Sequence, residues 1–326
     1  MEKADSASRY LNAAGYDIVG DVHGCAQTLG RLLEQLGYKK RSGVFYHPGR
    51  RAIFVGDILD RGPRIREAMA LVREMVEAGS AELILGNHEL NALAYCTPHP
   101  GKPGAYIRPH TERNTHIISE TLEQFANYQN DWQDHLRWLL TLPLYRDYGH
   151  FRVAHACWDA DAIAGHEAEG LPAHIAGWGL EALAADPGST SARMIRRLTT
   201  GLELSLPGDS EMLTAEGFKR RTFRARFWME SPETYGDLAF QPDPIPADIA
   251  NRTLTTADRA ALVVYHRREP PLFVGHYWLT GKPRPVAANV ACLDYSAVKF
   301  GRLVAYRMDR ETRLESRKFN WVYVDP

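Results

Sequence analysis

Over the first ninety residues, short apolar runs alternate with longer segments of helical period. The runs "YDIV" (16–19), "RAIFV" (51–55) and "AELIL" (81–85) have strand length, and each is followed by an amphipathic stretch: "AQTLGRLLEQLG", "PRIREAMALVREMVEAG" and "HELNALAYC". This alternation predicts β-α-β units around a parallel sheet. Pro63 suits the first turn of the second helix. A loop rich in proline, glycine and histidine (97–110) leads to a long helical region at about 115–142, then to a strand in "HFRVAHA" (150–156). Residues from about 160 to 265 mix helical and polar segments without a repeat, and read as a mostly helical inserted cap. The later runs "PLFVGHYW" (271–278), "NVACLDY" (289–295), "GRLVAYRM" (301–308) and "NWVYV" (320–324) predict a second sheet. The expected fold is α/β: two mixed β-sheets packed as a sandwich and flanked by helices. Residues 1–326 form one domain, with the cap inserted at about 160–265.

Each of the first three strands ends in glycine followed by a polar residue: Gly20-Asp21, Gly56-Asp57 and Gly86-Asn87. In open α/β sheets, ligands gather where the carboxyl ends of strands meet the helices that follow, so these residues should converge on one crevice. Asp21 and His23 lie one residue apart on a turning backbone, which can aim both at one ion, and Gly20 and Gly24 permit the bend. "GDILDRG" adds Asp57, Asp60 and Arg61, and "GNHE" adds Asn87, His88 and Glu89. Singly, these read as a surface turn, a turn with an ion pair, and a helix cap with Asn87 at the N-cap. Their order at three successive strand ends makes coincidence a poor account.

Composition narrows the function classes. The chain has 39 lysines and arginines against 40 aspartates and glutamates, so no overall field draws it to nucleic acid or to an anionic membrane. Any anion must be held locally. Apolar content of 44% supports a sizeable core. The opening "MEKADSASRYLNAAG" has no apolar run of signal-peptide length, and no stretch approaches the roughly 20 residues of a membrane span, so a cytoplasmic location is expected. Cys25, Cys96, Cys157 and Cys292 are scattered without a C-x-x-C pair and read as buried free thiols.

Together "GDVHG", "GDILDRG" and "GNHE" resemble the calcineurin-like metallophosphoesterase superfamily, specifically its phosphoprotein-phosphatase-type branch. "VAHA" with His155, "VGH" with His276 and "ANVACLDYS…GRLVAYR" extend the likeness. The resemblance implies a two-metal centre: Asp21 and His23 on the first ion, Asp57 bridging, and Asn87, His155 and His276 completing the second. Imidazole, carboxylate and amide ligands suit manganese, iron or zinc, and manganese is favoured. The implied nucleophile is a hydroxide shared by the ions, with no phosphoenzyme. His88 is the implied general acid, Asp60 orients its imidazole, and Arg61 clamps the phosphoryl oxygens. Glu89 reads as a supporting residue rather than a ligand.

The implied activity is hydrolysis of a phosphomonoester, on phosphoserine, phosphothreonine or phosphotyrosine of a protein. The alternatives are symmetrical cleavage of a bis(5'-nucleosyl) tetraphosphate and, from another class, a non-catalytic metal-binding or interaction protein. The partner is thus a phosphoprotein or a dinucleoside polyphosphate, with no nucleic acid or membrane. "FKRRTFRARFW" (218–228) offers Arg221 or Arg224 as a further phosphate ligand, against an amphipathic helix with solvated arginines. "LDYS" departs from the "LDTG" of bacterial relatives and places the loop geometry there in question. His99 and His110 are the remaining histidines closest to the expected crevice.

Overall fold

The computed structural model describes residues 14–186, 188–208, 210–213, 219–240, 245–299 and 301–324. Strand β1 (Gly15–Val19) leads into helix α1 (Ala26–Gln35). A hairpin, β2 (Lys39–Arg41) with β3 (Val44–Tyr46), precedes β4 (Arg50–Phe54). Its strands are three residues each, too short for apolar alternation to announce them. Helix α2 (Ile65–Glu77), strand β5 (Ala81–Leu83) and helix α3 (Asn87–Cys96) complete the N-terminal repeat. Arg64 is the N-cap of α2, so Pro63 stands just outside the first turn.

The region 115–142 divides into α4 (Glu112–Gln124) and α5 (Gln129–Leu139). Strands β6 (Tyr145–Asp147) and β7 (Arg152–Ala154) follow, then α6 (Ala160–Ala168), α7 (Ala176–Ala185) and α8 (Thr190–Thr200). Beyond them lie β8 (Glu203–Ser205), β9 (Met212–Leu213), β10 (Lys219–Arg220) and β11 (Thr222–Arg224). The short helices α9 (Tyr235–Leu238), α10 (Ala247–Ala250) and α11 (Thr256–Ala260) come next. The last strands are β12 (Leu272–Val274), β13 (Val290–Cys292), β14 (Asp294–Tyr295), β15 (Arg302–Met308) and β16 (Phe319–Tyr323).

The larger sheet has six strands in the order β14-β15-β1-β4-β5, with β16 also on β15; the second has four, β13-β12-β7-β6, so "GRLVAYRM", beside β1, and "NWVYV", beside β15, lie in the first sheet rather than in the second, where the sequence placed them. Both are mixed. β1, β4 and β5 run parallel, as do β7, β12 and β13, while β15 and β6 are antiparallel to their neighbours. Successive residues point to opposite faces, and here both faces are buried, which is why the strands read as continuous apolar runs. Ile18, Ile53 and Ile84 of the first sheet meet Val153, Phe273 and Ala291 of the second in one cluster. Val19, Phe54, Leu83, Ala154, Leu272 and Val290 face the other way, into the core shared with the helices.

The region 160–265 is not uniform. Ile163, Leu180, Ile195 and Leu198 of its helices belong to the main core, whereas Leu204, Phe223, Tyr235, Ile249 and Leu254 form a separate cluster. Within 218–228, Lys219–Arg220 and Thr222–Arg224 form strands, with Phe223 and Ala225 buried at strand period, and 226–228 are loop and turn, so the amphipathic-helix reading of that stretch does not hold; residue 218 lies outside the described residues. Among the described residues no helix is long and apolar enough to cross a membrane.

Candidate metal centre

The parallel strands deliver their carboxyl ends to one place. Asp21 and His23 follow β1, Asp57 follows β4, Asn87 follows β5, His155 follows β7, and His276 follows β12 after Gly275. The glycines serve close approach as much as bending. A Cβ on Gly56, whose φ is +105°, would lie 2.6 Å from Gly86 Cα and 2.9 Å from His155 Nδ1. Gly20 is not in the left-handed region; a Cβ there would strike the Leu293 backbone, so its role is space, and the bend falls on His23 and Gly24.

Non-glycine residues with positive φ crowd this end of the sheets: His23 (+43°), Asp57 (+52°), Asp60 (+66°), Arg61 (+70°), His276 (+69°) and Ser296 (+56°). Such conformations are disfavoured by about 1–3 kcal/mol each and concentrate where geometry matters more than stability. Ser296 answers the question raised by "LDYS", since it takes the left-handed conformation that glycine would otherwise supply.

Asp57 is the hub. Its Oδ2 lies 3.8 Å from His23 Nε2, 3.9 Å from His88 Nε2 and 3.4 Å from His155 Nε2, and its Oδ1 accepts from His88 N at 2.9 Å. Two buried groups therefore share it, one with His23 and His88, the other with His155 and His276. Asn87 Oδ1 is 3.0 Å from His155 Nε2 and 2.8 Å from His276 Nδ1. Asp21 takes the His276 backbone N–H on Oδ2 at 3.0 Å, while its buried Oδ1 has no partner among the described residues. All six residues expected to ligate metal thus meet here. His88 lies among them as well, through its Nε2 side.

The donor set fits cations. His23 Nδ1 faces Leu59 O at 2.8 Å and His155 Nδ1 faces Val55 O at 2.7 Å, which puts those protons on Nδ1 and leaves each Nε2 a lone pair. His155 Nε2, Asn87 Oδ1 and Asp57 Oδ2 crowd together, an arrangement that calls for positive charge, supplied either by a proton on His155 Nε2 or by a cation in its place. The electrostatics agree. Burial, aided by the Asp294 carboxylate, pushes the Asp21 carboxyl well above its usual range. Burial, with His88 beside one and Arg224 beside the other, drives the His23 and His276 imidazoles well below theirs. Burial also disfavours a charged His155, but the adjacent Asp57 outweighs it and raises His155 to about 10. Imidazole and carboxylate donors of this kind suit manganese, iron or zinc.

Around the hub, His88 Nδ1 lies 2.6 Å from Asp60 Oδ2, which leaves its Nε2 facing the crevice. Thr121 of α4, which the sequence did not single out, donates to Asp60 Oδ1 at 2.5 Å and accepts from Asp60 N at 3.1 Å. Its signal was hidden because it comes from a helix far along the chain. Arg61 lies 4.4 Å from the Trp278 ring centre, with one buried guanidinium nitrogen, Nη1, unpartnered among the described residues. Glu89, fully buried, accepts from the backbone N–H groups of Asp57, Ile58, Leu59 and Gly86. Gly86, not Asn87, is the N-cap of α3, and this leaves the Asn87 amide free for the centre. Asp294, also missed, accepts from Trp278 N and Ser296 N and fixes the last loop beside Asp21.

Of the two candidate arginines, Arg221 is exposed and paired with Glu211, whereas Arg224 is half-buried, reaches His276 O at 3.4 Å and keeps a buried Nε with no partner among the described residues. Cys25 is buried as the N-cap of α1, its thiol pushed up to about 11 by burial.

Residues 16–174 match the family model described as calcineurin-like phosphoesterase. The asymmetrical bis(5'-nucleosyl)-tetraphosphatase PrpE of Geobacillus sp. is 33% identical over 148 residues, covering 43% of this chain and 56% of that protein. The protein of that name from Halalkalibacterium halodurans is 47% identical over 74 residues, 22% of this chain and 30% of that one. The chain thus spans from under a third to just over half of these relatives' length. A protein serine/threonine phosphatase structure from Saccharomyces cerevisiae superposes with a TM-score of 0.51 at 14% identity, over 98% of this chain and 82% of that one, a likeness of fold.

Proposed function

We propose, from the match of residues 16–174 to the calcineurin-like phosphoesterase model, that this chain is a metal-dependent hydrolase of phosphate esters or anhydrides. The observation that carries the reading is the Asp57 carboxylate, buried between two groups of imidazoles. Asp21, His23 and Asp57 would hold one divalent ion; Asp57, Asn87, His155 and His276 would hold the other. Manganese is our first choice. When bound, such ions supply Lewis-acid stabilisation of phosphoryl charge and lower the pKa of water.

The chain's own groups do the rest. Asp60 holds the His88 Nδ1 proton, so the ring presents Nε2 for protonating the leaving oxygen. The unpartnered Nη1 of Arg61 is set to bind a non-bridging phosphoryl oxygen, with Trp278 stacking keeping the guanidinium in place. Arg224 adds a second cation beside His276.

For the substrate we favour a dinucleoside tetraphosphate over a phosphoprotein, supported by the names of the curated relatives. Those relatives are asymmetrical enzymes, so the expectation of symmetrical cleavage gives way to unequal products. The test is product analysis with diadenosine tetraphosphate and manganese, beside a phosphopeptide at equal concentration. The proposal expects ATP and AMP. Turnover of the phosphopeptide alone would return the phosphoprotein reading to first place.

A further inference from the structure

We propose that the cavity between the 97–111 loop and helix α7 is a nucleobase subsite that takes the purine of a nucleotide substrate. The cavity has a volume of about 410 Å³, and its lining includes His99, Lys102, Tyr106, His110, Leu183 and Ala184. That size and its mix of apolar wall and few polar groups are those of small-ligand sites.

Its organising feature is an aromatic column. Tyr95 of α3 stacks on His110 with ring centres 3.8 Å apart and planes 17° apart, and Tyr106 stacks on His110 at 4.0 Å and 19°. Two rings cannot share one face of an imidazole at those distances, so His110 is the middle of the column and Tyr106 its end. Tyr106 is 37% exposed, which leaves ring surface for a further aromatic layer.

The hydrogen-bonding groups complement a purine edge. His99 Nδ1 accepts from Gly101 N at 3.1 Å, so the ring proton is on Nε2, a donor. His110 Nε2 lies 2.9 Å from Tyr95 O and donates to it, leaving Nδ1 an acceptor. A donor and an acceptor match a purine's ring nitrogen and amino group. The exposed Lys102 adds a cation for phosphate.

The cavity is joined to the metal centre through α3. This helix starts at Asn87 and His88, and Tyr95 follows seven residues later, roughly 10 Å along the axis. Arg108 ties the loop to the same helix: its N–H bonds Ala94 O and its guanidinium bonds Asn91 Oδ1 at 2.7 Å. The base would lie on Tyr106, two stacking layers out from Tyr95, and the phosphate at Asp57, as the two ends of one ligand lying along α3. The phosphate end of this ligand rests on the phosphoesterase reading; the base end stands on the aromatic column.

The test uses adenosine, which has no phosphate and so does not depend on the metal centre, followed by saturation-transfer NMR on the full chain. Wild type and Tyr106→Phe should bind it. Tyr106→Ala should bind about tenfold more weakly, and Tyr106→Leu, which keeps the apolar volume but not the ring, should lose affinity likewise. No binding to wild type, or equal binding by folded Tyr106→Ala or Tyr106→Leu, overturns the subsite. Wild-type turnover of p-nitrophenyl phosphate with manganese reads the catalytic proposal separately. Turnover without adenosine binding overturns the subsite alone; adenosine binding without turnover overturns the catalytic reading and leaves the subsite standing.

Discussion

The Asp60 carboxylate lies 2.6 Å from His88 Nδ1, and both groups are buried. One side of the imidazole is thereby committed, and the other faces Asp57 and the crevice. If this pair delivers the proton to the leaving group, Asp60→Asn should lower turnover of alkyl phosphates by about 10²-fold or more. It should lower that of p-nitrophenyl phosphate much less, since p-nitrophenolate leaves without a proton. Leaving-group dependence of kcat checks this, and equal losses would contradict it.

Thr121 holds the far oxygen of Asp60. Thr121→Val leaves that oxygen without its hydroxyl and should destabilise the fold by about 1–3 kcal/mol, read as a lowered Tm. It should also move the leaving-group dependence in the direction of Asp60→Asn, and Thr121→Ser should restore it. A lowered Tm with unchanged leaving-group dependence would make Thr121 structural only.

Glu89 gathers the backbone N–H groups of Asp57, Ile58 and Leu59 in the Asp57 turn together with that of Gly86 at the start of its own helix. Glutamine offers one acceptor oxygen, and its amide protons would face donors. Glu89→Gln should therefore lose on the order of 3 kcal/mol in denaturant titration and retain less manganese by elemental analysis. Full metal content and wild-type stability would show that the turn holds itself.

Away from the crevice, Lys318 joins Asp309 and Glu311, each at 2.7 Å. Burial alone would raise both carboxyls, but Lys318, helped at Asp309 by Arg50, holds them below their usual range. A carboxyl lowered in the folded state adds stability above its unfolded value, near 4, and that stability is lost as pH falls through the folded value. Tm should thus fall between about pH 5 and pH 3, and Lys318→Met should be less stable at pH 7 while converging on wild type at pH 3. Parallel Tm curves for the two proteins would remove the pairing from the acid response.

The metal-centre residues were legible because each lies directly after a strand whose apolar run marks its end, as with Asp57 after "RAIFV" and Asn87 after "AELIL". That two sheets would form was legible for the same reason, both faces of the strands being buried, but their membership was not: "GRLVAYRM" and "NWVYV", expected in the second sheet, join the first, because strand pairing between distant segments leaves no local pattern. Thr121, Trp278 and Asp294 were not, because their contacts join segments distant in sequence and no local pattern marks them. Region 218–228 misled because arginines at close spacing resemble a solvated helix face, although Phe223 and Ala225 already alternate at strand period.

On the proposed function, Asp57 joins two cation sites into one hydrolytic centre. This is tested most directly by titrating manganese into chelator-stripped protein while following p-nitrophenyl phosphate hydrolysis. Stripped protein should show no turnover, and recovery should reach its plateau at two equivalents per chain, with Asp57→Asn failing to recover. Absence of turnover with manganese, or full activity in the stripped protein, would contradict it.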